Sequence, residues 1–512
     1  MSSFKYPSKR LVLIYLLVIF LSGCSTSPSP ISEVSKSQPK ETSTTAKSDP
    51  ELPYFQSSDC RFPVPAGKVI CGDLFTLEDR SNPDSPIISL HAAIFPSYSS
   101  HPKPDPVIYL MGGGGGDALG AANFYLGAAG NRVRANRDFI LYNQRGVKRN
   151  EPYLACPGEA DFRTKLNSFV HSTDEASQME YDFLMGCRDH LLENGVNLEF
   201  YDSVTHAADL ADLIQTLGYE QTNIYGTSYG TRLGLTFMRH YPELVRSSIL
   251  DSILPPQINF PSDGITSFVV SVENLFAACA SQDKCSTQYP ELETEFYQVI
   301  EELKANPTPI SVGEEDVILD HILFLDAVYL LLHPPDALSD TPRAIHNAYL
   351  GEYSWLKESI RSVLYYSDFV ATGVHYSSMC KDEVNFDSLE YSKTLLEGLH
   401  EGWQDYFNLA FYFKTCQDWI NDPADPVENT PVISDIPTLV LTGHFDSITA
   451  PSWNLDTANY LENSFYYEFP NMAHGVLRYN NCALGMGLEF LNDPESEPDS
   501  SCLEEIGFPV FK

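Results

Sequence analysis

Ser228 stands in GTSYG, with Gly226 two residues before it and Gly230 two after. The stretch joins a short β-branched and aromatic run to a helix-forming run, so the serine falls on a tight turn between strand and helix. A side chain at either flanking position would collide with the neighbouring strand or helix, which is the reason for glycine there. Such a turn lifts the serine oxygen above the sheet and sets it at a helix N-terminus, where the dipole favours developing negative charge. A small-residue turn with an incidental serine has the same five residues, so the partners decide. Serine is a weak nucleophile without a base, and the base needs an acid to orient it. Asp446 follows the run PTLVLTG, and His474 follows SFYYEF, 28 residues on. Alone, Asp446 is an ordinary turn aspartate and His474 an ordinary loop histidine. Together, Ser228, Asp446 and His474 come in the order this geometry requires, each at the carboxyl end of an expected strand. His444 is the rival base, but two residues from Asp446 it would crowd the acid rather than face the serine.

Attack on a carbonyl also needs hydrogen-bond donors for the oxyanion. The backbone N–H of Tyr229, next after the serine, is one. The other is expected from MGGGGGD, Met111 to Asp117, whose glycines let the backbone come close to a substrate oxygen. Gly113 and Gly114 are both candidates, and the sequence does not separate them. No Cys-x-x-Cys pair and no histidine cluster with zinc spacing occurs, so neither metal nor cofactor is expected.

These residues need a scaffold. PVIYL (106–110), DFILYN (138–143), residues 223–225, SSIL (247–250), PTLVLTG (437–443) and SFYYEF (464–469) have strand composition. The spacing of Ala207, Leu210, Ala211, Ile214 and Leu217 predicts a helix over 203–217, capped by Asp202 or Ser203 and stopped by Gly218. A second helix follows Ser228 and carries Leu233, Phe237 and Met238. Strands alternating with helices predict an α/β fold with a mainly parallel, doubly wound sheet. The alternation lapses between 254 and 435, where ELETEFYQVIEELKA and ILFLDAVYLLL are helical in pattern. That stretch predicts a large helical cap over the sheet's carboxyl edge, where ligands bind. The expected core is therefore split, 59–253 and 436–512, around the 254–435 cap.

The N-terminus has a different character. Lys5, Lys9 and Arg10 precede an apolar run from Leu11 to Phe20 that is too short for a comfortable membrane span, and LSGC ends at Cys24. Residues 1–24 resemble a bacterial lipoprotein signal, with Cys24 lipidated; an ordinary signal peptide with an incidental cysteine is the alternative. The expectation is an extracytoplasmic chain anchored to a bacterial membrane through lipid alone. Residues 25–58, rich in Ser, Thr, Pro and Lys, are expected to tether it. The net charge of −37, from 32 basic and 69 acidic residues, repels nucleic acid and anionic lipid. Of 11 cysteines, ten remain after Cys24, an even number in an exported chain. Neighbours pair conveniently (Cys60 with Cys71, Cys156 with Cys187, Cys279 with Cys285, Cys380 with Cys416, Cys482 with Cys502), although sequence does not fix the connectivity.

From about Cys60 to Cys502 these motifs, in order, resemble the proline iminopeptidase and tripeptidyl aminopeptidase group of α/β-hydrolases. PVIYLMGGGGG is similar to the group's strand plus His-Gly-Gly-Pro-Gly, and RDFILYNQRGVKRNEP to its Asp-Gln-Arg-Gly-x-Gly-x-Ser-x-Pro. GTSYG, PTLVLTGHFDSITAP and NMAHG look like its nucleophile, acid and histidine segments. Met111 stands where the group has His and Gly114 where it has Pro, which implies a looser oxyanion loop. Asn143, Lys148 and Asn150 replace Asp, Gly and Ser in a segment whose role is structural support. The resemblance implies an α/β-hydrolase fold and a serine aminopeptidase acting on peptides with a free N-terminus. It also implies cap carboxylates that hold the substrate amine, for which Asp382 and Glu383 are the candidates. The rivals are a small-molecule esterase or amidase, a binding protein that has kept the fold, and a lipase, which the acidic surface disfavours.

Overall fold

The computed structural model describes residues 51–512 apart from 65, 66 and 421. The expected signal segment, Cys24 and most of the expected tether lie outside the described residues. The tether ends earlier than the predicted 58, because Tyr54–Ser57 is already a strand, with Tyr54 stacked on Phe75 at 5.0 Å between ring centroids.

The strands are, in chain order, β1 (Tyr54–Ser57), β2 (Ile70–Leu77), β3 (Ile87–Phe95), β4 (Val107–Leu110), β5 (Phe139–Tyr142), β6 (Thr222–Ser228), β7 (Val245–Ile253), β8 (Thr308–Val312), β9 (Glu315–Leu319), β10 (Thr438–Gly443) and β11 (Ser464–Phe469). Nine of them make one sheet in the order β1-β2-β3-β5-β4-β6-β7-β10-β11. β1, β2, β3 and β5 pair antiparallel in turn; from β5 to β11 every pairing is parallel. Strands buried on both faces read as continuous apolar runs, and β4 (VIYL) and β5 (FILY) are buried at every position. Two apolar layers cover the sheet, one around Tyr109, Leu141, Leu439 and Phe490, the other around Ile108, Leu210, Ile224 and Leu233. The predicted 203–217 helix is Ser203–Thr216, with Asp202 accepting from the Thr205 N–H at 2.7 Å.

Between β7 and β10 lies the cap, mostly helical as expected, with its own core around Phe268, Phe296, Phe324 and Trp403. It holds one element the pattern did not show, the β8–β9 hairpin. It also extends beyond the predicted 254–435. The Thr173–Glu193 helix packs on the Ala410–Trp419 helix, in a cluster shared by the disulfides Cys156–Cys187 and Cys380–Cys416. Nothing in the local pattern of the Thr173–Glu193 helix says which layer it joins. All five neighbour pairs of cysteines are disulfides. Among the described residues no helix is long and apolar enough to cross a membrane.

Candidate active site

Ser228 ends β6 and precedes the Tyr229–His240 helix with φ +59°, a left-handed backbone that L residues rarely adopt. The flanking glycines are there for space. A Cβ on Gly230 would run into the Leu110 carbonyl, and one on Gly226 would lie 2.6 Å from the Gly230 oxygen. The turn is therefore closed by the close approach of β4, β6 and the helix. Strain at this serine is held by the packing around it.

Asp446 follows β10 and is 1% exposed; His474 follows β11 and is 5% exposed. His474 Nδ1 lies 3.0 Å from both Asp446 carboxylate oxygens, so this nitrogen donates to the acid. Asp446 also accepts from the Ile448 and Thr449 N–H groups at 2.9 and 2.8 Å, and from the Thr449 hydroxyl at 2.8 Å. Burial pushes the Asp446 carboxyl up. His474 and these backbone donors outweigh it, so the group sits below the usual carboxylate range and stays ionised. Ser228 is half-buried, and its hydroxyl makes no hydrogen bond among the described residues. The rival His444 is turned to Glu468, 2.7 Å from Nδ1, and to the Phe508 ring.

The glycine loop lies against the nucleophile: a Cβ on Gly112 would be 2.9 Å from the Ser228 Cβ. The N–H groups of Gly113 and Gly114 donate to no protein acceptor among the described residues. Tyr229, as the first residue of its helix, has an N–H with no intrahelical partner. The expected oxyanion donors are thus free. The segment around Asn143 gives the structural support expected of it. The Asn143 side chain accepts from the Leu119 N–H and donates to Asp117 and to the Lys148 carbonyl. Arg145 forms a two-pronged pair with Asp209 at 2.7 Å on each side, deep in the fold.

Asp382 and Glu383, the candidate amine ligands, are 0% and 4% exposed. Glu383 accepts from the Phe260 N–H at 3.0 Å and faces Arg232 at 3.7 Å. Asp382 accepts from the Ser203 N–H at 2.9 Å and keeps Oδ1 without a partner. Burial raises both carboxyls. Neither is open to solvent; Asp382 lies near Tyr229, whose hydroxyl is 3.2 Å from His206 Nδ1.

Several residues at the site carried no sequence signal. The Asp251 carboxylate accepts from the Val476 and Leu477 N–H groups at 2.7 and 3.0 Å, and Ser252 Oγ from the Gly475 N–H at 2.8 Å. The end of β7 thereby clamps the loop that carries His474. His333, at the end of the His321–Leu331 helix, meets the His474 ring at 5.9 Å and the Tyr329 ring at 4.8 Å. Burial, followed by the neighbouring His474, lowers His333 to about 3, so it is neutral. Asp326, on the same helix, accepts from the Tyr406 hydroxyl at 2.9 Å and is raised by burial to about 6. Tyr329 feels the charge of both Asp446 and Asp326. Among the described residues no group of three metal-ligating side chains converges.

This sheet, with Ser228 on a tight turn after β6, Asp446 after β10 and His474 after β11, has the α/β-hydrolase arrangement. The family model described as alpha/beta hydrolase fold matches residues 105–280, and the one described as TAP-like protein matches 404–502. The chain has the α/β-hydrolase fold. It is similar to the serine protease Hip1 of Mycobacterium tuberculosis, 26% identical over 306 residues, covering 56% of this chain and 58% of that protein. It is also similar to the tripeptidyl aminopeptidase of Streptomyces lividans, 27% identical over 157 residues, covering 29% of this chain and 28% of that one. The chain thus spans somewhat over half the length of the first of these relatives. A thermophilic esterase from Thermogutta terrifontis aligns over 83% of this chain and 99% of its own, at 14% identity and a TM-score of 0.36.

Proposed function

We propose that this protein is a serine peptidase of the aminopeptidase kind, releasing short N-terminal pieces from peptides. The observation that carries the reading is the buried Asp446–His474 pair at the same carboxyl edge of the parallel sheet as the strained Ser228, with the N–H groups of Tyr229, Gly113 and Gly114 left without a protein acceptor among the described residues. Ser228 Oγ attacks the scissile carbonyl, and its proton passes to His474 Nε2. The carbonyl oxygen takes up the negative charge and is met by the free N–H donors. Collapse breaks the C–N bond, and His474 returns the proton to the leaving amine. Water then repeats the sequence on the acyl-enzyme and releases the acid.

The named activities of the relatives, serine protease and tripeptidyl aminopeptidase, support peptides over esters as substrates. A free substrate amine needs a carboxylate it can reach. Asp382 and Glu383 are buried and meet it only if their surroundings move, whereas Asp326 is partly exposed beside Tyr329. The chain is extracytoplasmic and held to a bacterial membrane by lipid on Cys24. The five disulfides suit an oxidising compartment.

The test uses a peptide amide series, each member with a free and an acetylated amine, together with fluorophosphonate labelling. The expected result is cleavage of the free-amine forms only and labelling that S228A abolishes. Cleavage of both forms would make the protein a general amidase or endopeptidase. Turnover retained by S228A would end the reading.

A further inference from the structure

Five consecutive glycines cannot hold an oxyanion donor still by themselves, since each has wide backbone freedom. Gly113, Gly114 and Gly115 have φ of +84°, +50° and +107°. What fixes them is the cap, at a single segment running into the Thr372–Asp382 helix. The Asp117 N–H donates to the Phe369 carbonyl at 2.9 Å, and the Ala371 N–H donates to the Gly115 carbonyl at 3.0 Å. Between these bonds Gly116 pairs with Val370 as an isolated antiparallel bridge. The loop is strapped at its far end as a strand would be.

The reacting end of the loop is held by one side chain. His375 Nδ1 lies 3.2 Å from the Gly113 carbonyl oxygen. A carbonyl only accepts, so Nδ1 carries the proton. Burial lowers the pKa of this half-buried histidine, which keeps the ring neutral with that single tautomer. In a trans peptide the C=O and the following N–H point opposite ways. Tying the Gly113 carbonyl to the cap therefore sets the direction of the Gly114 N–H and, through the shared Cα, limits that of the Gly113 N–H. The loop runs close to the cap helix at Gly114: a Cβ there would be 3.2 Å from Ser378 Oγ and 3.6 Å from the Tyr229 ring. Tyr229 carries the other expected donor on its backbone N–H.

We infer that His375 is a positioning residue for the oxyanion loop, a cap side chain that aims backbone donors at the transition state through its bond to Gly113. The inference rests on the reading of Ser228 as a nucleophile and says where part of its catalytic power is kept. It also answers the departure at positions 111 and 114. The stiffness that His and Pro imply for the similar families comes here from outside the loop.

The experiment compares the full chain with H375A and H375N on one free-amine peptide amide, and measures affinity for a peptide boronate, whose tetrahedral adduct places an oxygen at the oxyanion position. Removing a direct oxyanion donor costs on the order of a hundredfold to a thousandfold in kcat, and misaiming one should cost less, about tenfold to a hundredfold. H375A should lose that much kcat with KM within about threefold, and boronate affinity should fall in parallel. H375N, whose side-chain amide offers N–H near the same place, should recover most of both. If H375A does not fold, H375F, which keeps a ring of similar bulk without the N–H, takes its place: lost kcat and boronate affinity that H375N recovers support the bond to Gly113, and unchanged values in H375F overturn it. A raised KM with unchanged kcat would make His375 a substrate contact and overturn the inference. So would unchanged kcat and boronate affinity in H375A. Failure of the wild-type chain to turn over or to label at Ser228 would sink the hydrolase reading and this inference with it. Normal wild-type turnover with an unaffected H375A would sink this inference alone.

Discussion

The two sides of the active site are held by different parts of the molecule. The acid and base belong to the sheet. Asp446 is satisfied within three residues of itself by the Ile448 and Thr449 N–H groups, and the loop of His474 is clamped by Asp251 and Ser252 at the end of β7. The oxyanion loop also leaves a sheet strand, β4, and its two ends are tied to the core by Gln144 and Asn143, but its glycines are held from the cap, by Phe369, Ala371 and His375. Proton transfer is thus built on rigid core and charge stabilisation on a seam between layers. The difference teaches that a cap can be part of the catalytic apparatus as well as a cover.

That contrast can be broken at its strongest point first. Asp446→Asn removes the acid that fixes the tautomer of His474, and kcat should fall by about 10⁴-fold with little change in unfolding. A loss no larger than that of the cap variant H375A would mean the core side is not dominant. Next, Asp251→Ala strips two buried N–H groups of their acceptor. Urea unfolding should show a loss of roughly 2–5 kcal/mol, with kcat reduced as the histidine loop loosens. A cost below about 1 kcal/mol would show that the core does not clamp that loop.

The smallest effect concerns the seam itself. His206 is 0% exposed and backs Tyr229. Burial lowers its pKa from 6.5 to about 4. The folded value lies below the unfolded one, so as pH falls the unfolded chain takes up the proton first. Its stabilising share is complete above pH 6.5 and is lost between there and about pH 4, at up to about 1.4 kcal/mol per pH unit. His206→Gln should flatten the stability profile over that window relative to wild type. Parallel profiles for the two proteins would show that the ring titrates normally and that the packing behind Tyr229 is looser than described.

The triad and both oxyanion segments were legible because each is written locally. Glycines flank Ser228, and a strand run precedes Asp446, His474 and the glycine loop in turn. The residues that aim them were not legible, because they act over distance: 262 residues separate Gly113 from His375, and 225 separate Asp251 from Val476. Nothing in TGVHYSSM or SILDSIL sets those positions apart from ordinary helix and strand. β2 and β3 (ICGDLFTL, IISLHAAIF) escaped for another reason. They are buried along nearly their whole length, so the two-residue alternation that betrays a strand is missing. Asp382 and Glu383 drew attention as acids in a cap, but their burial and backbone partners come from Ser203 and Phe260, far away in the chain.

The strap between Gly115–Asp117 and Phe369–Ala371 bears on how such a protein could be re-engineered. A chimera that keeps this sheet and receives another cap would lose the backbone partners of its own glycine loop, and would be crippled however well the new pocket suited the new substrate. Loop and strap would have to be transplanted as one inheritance unit, although some 250 residues of chain lie between them.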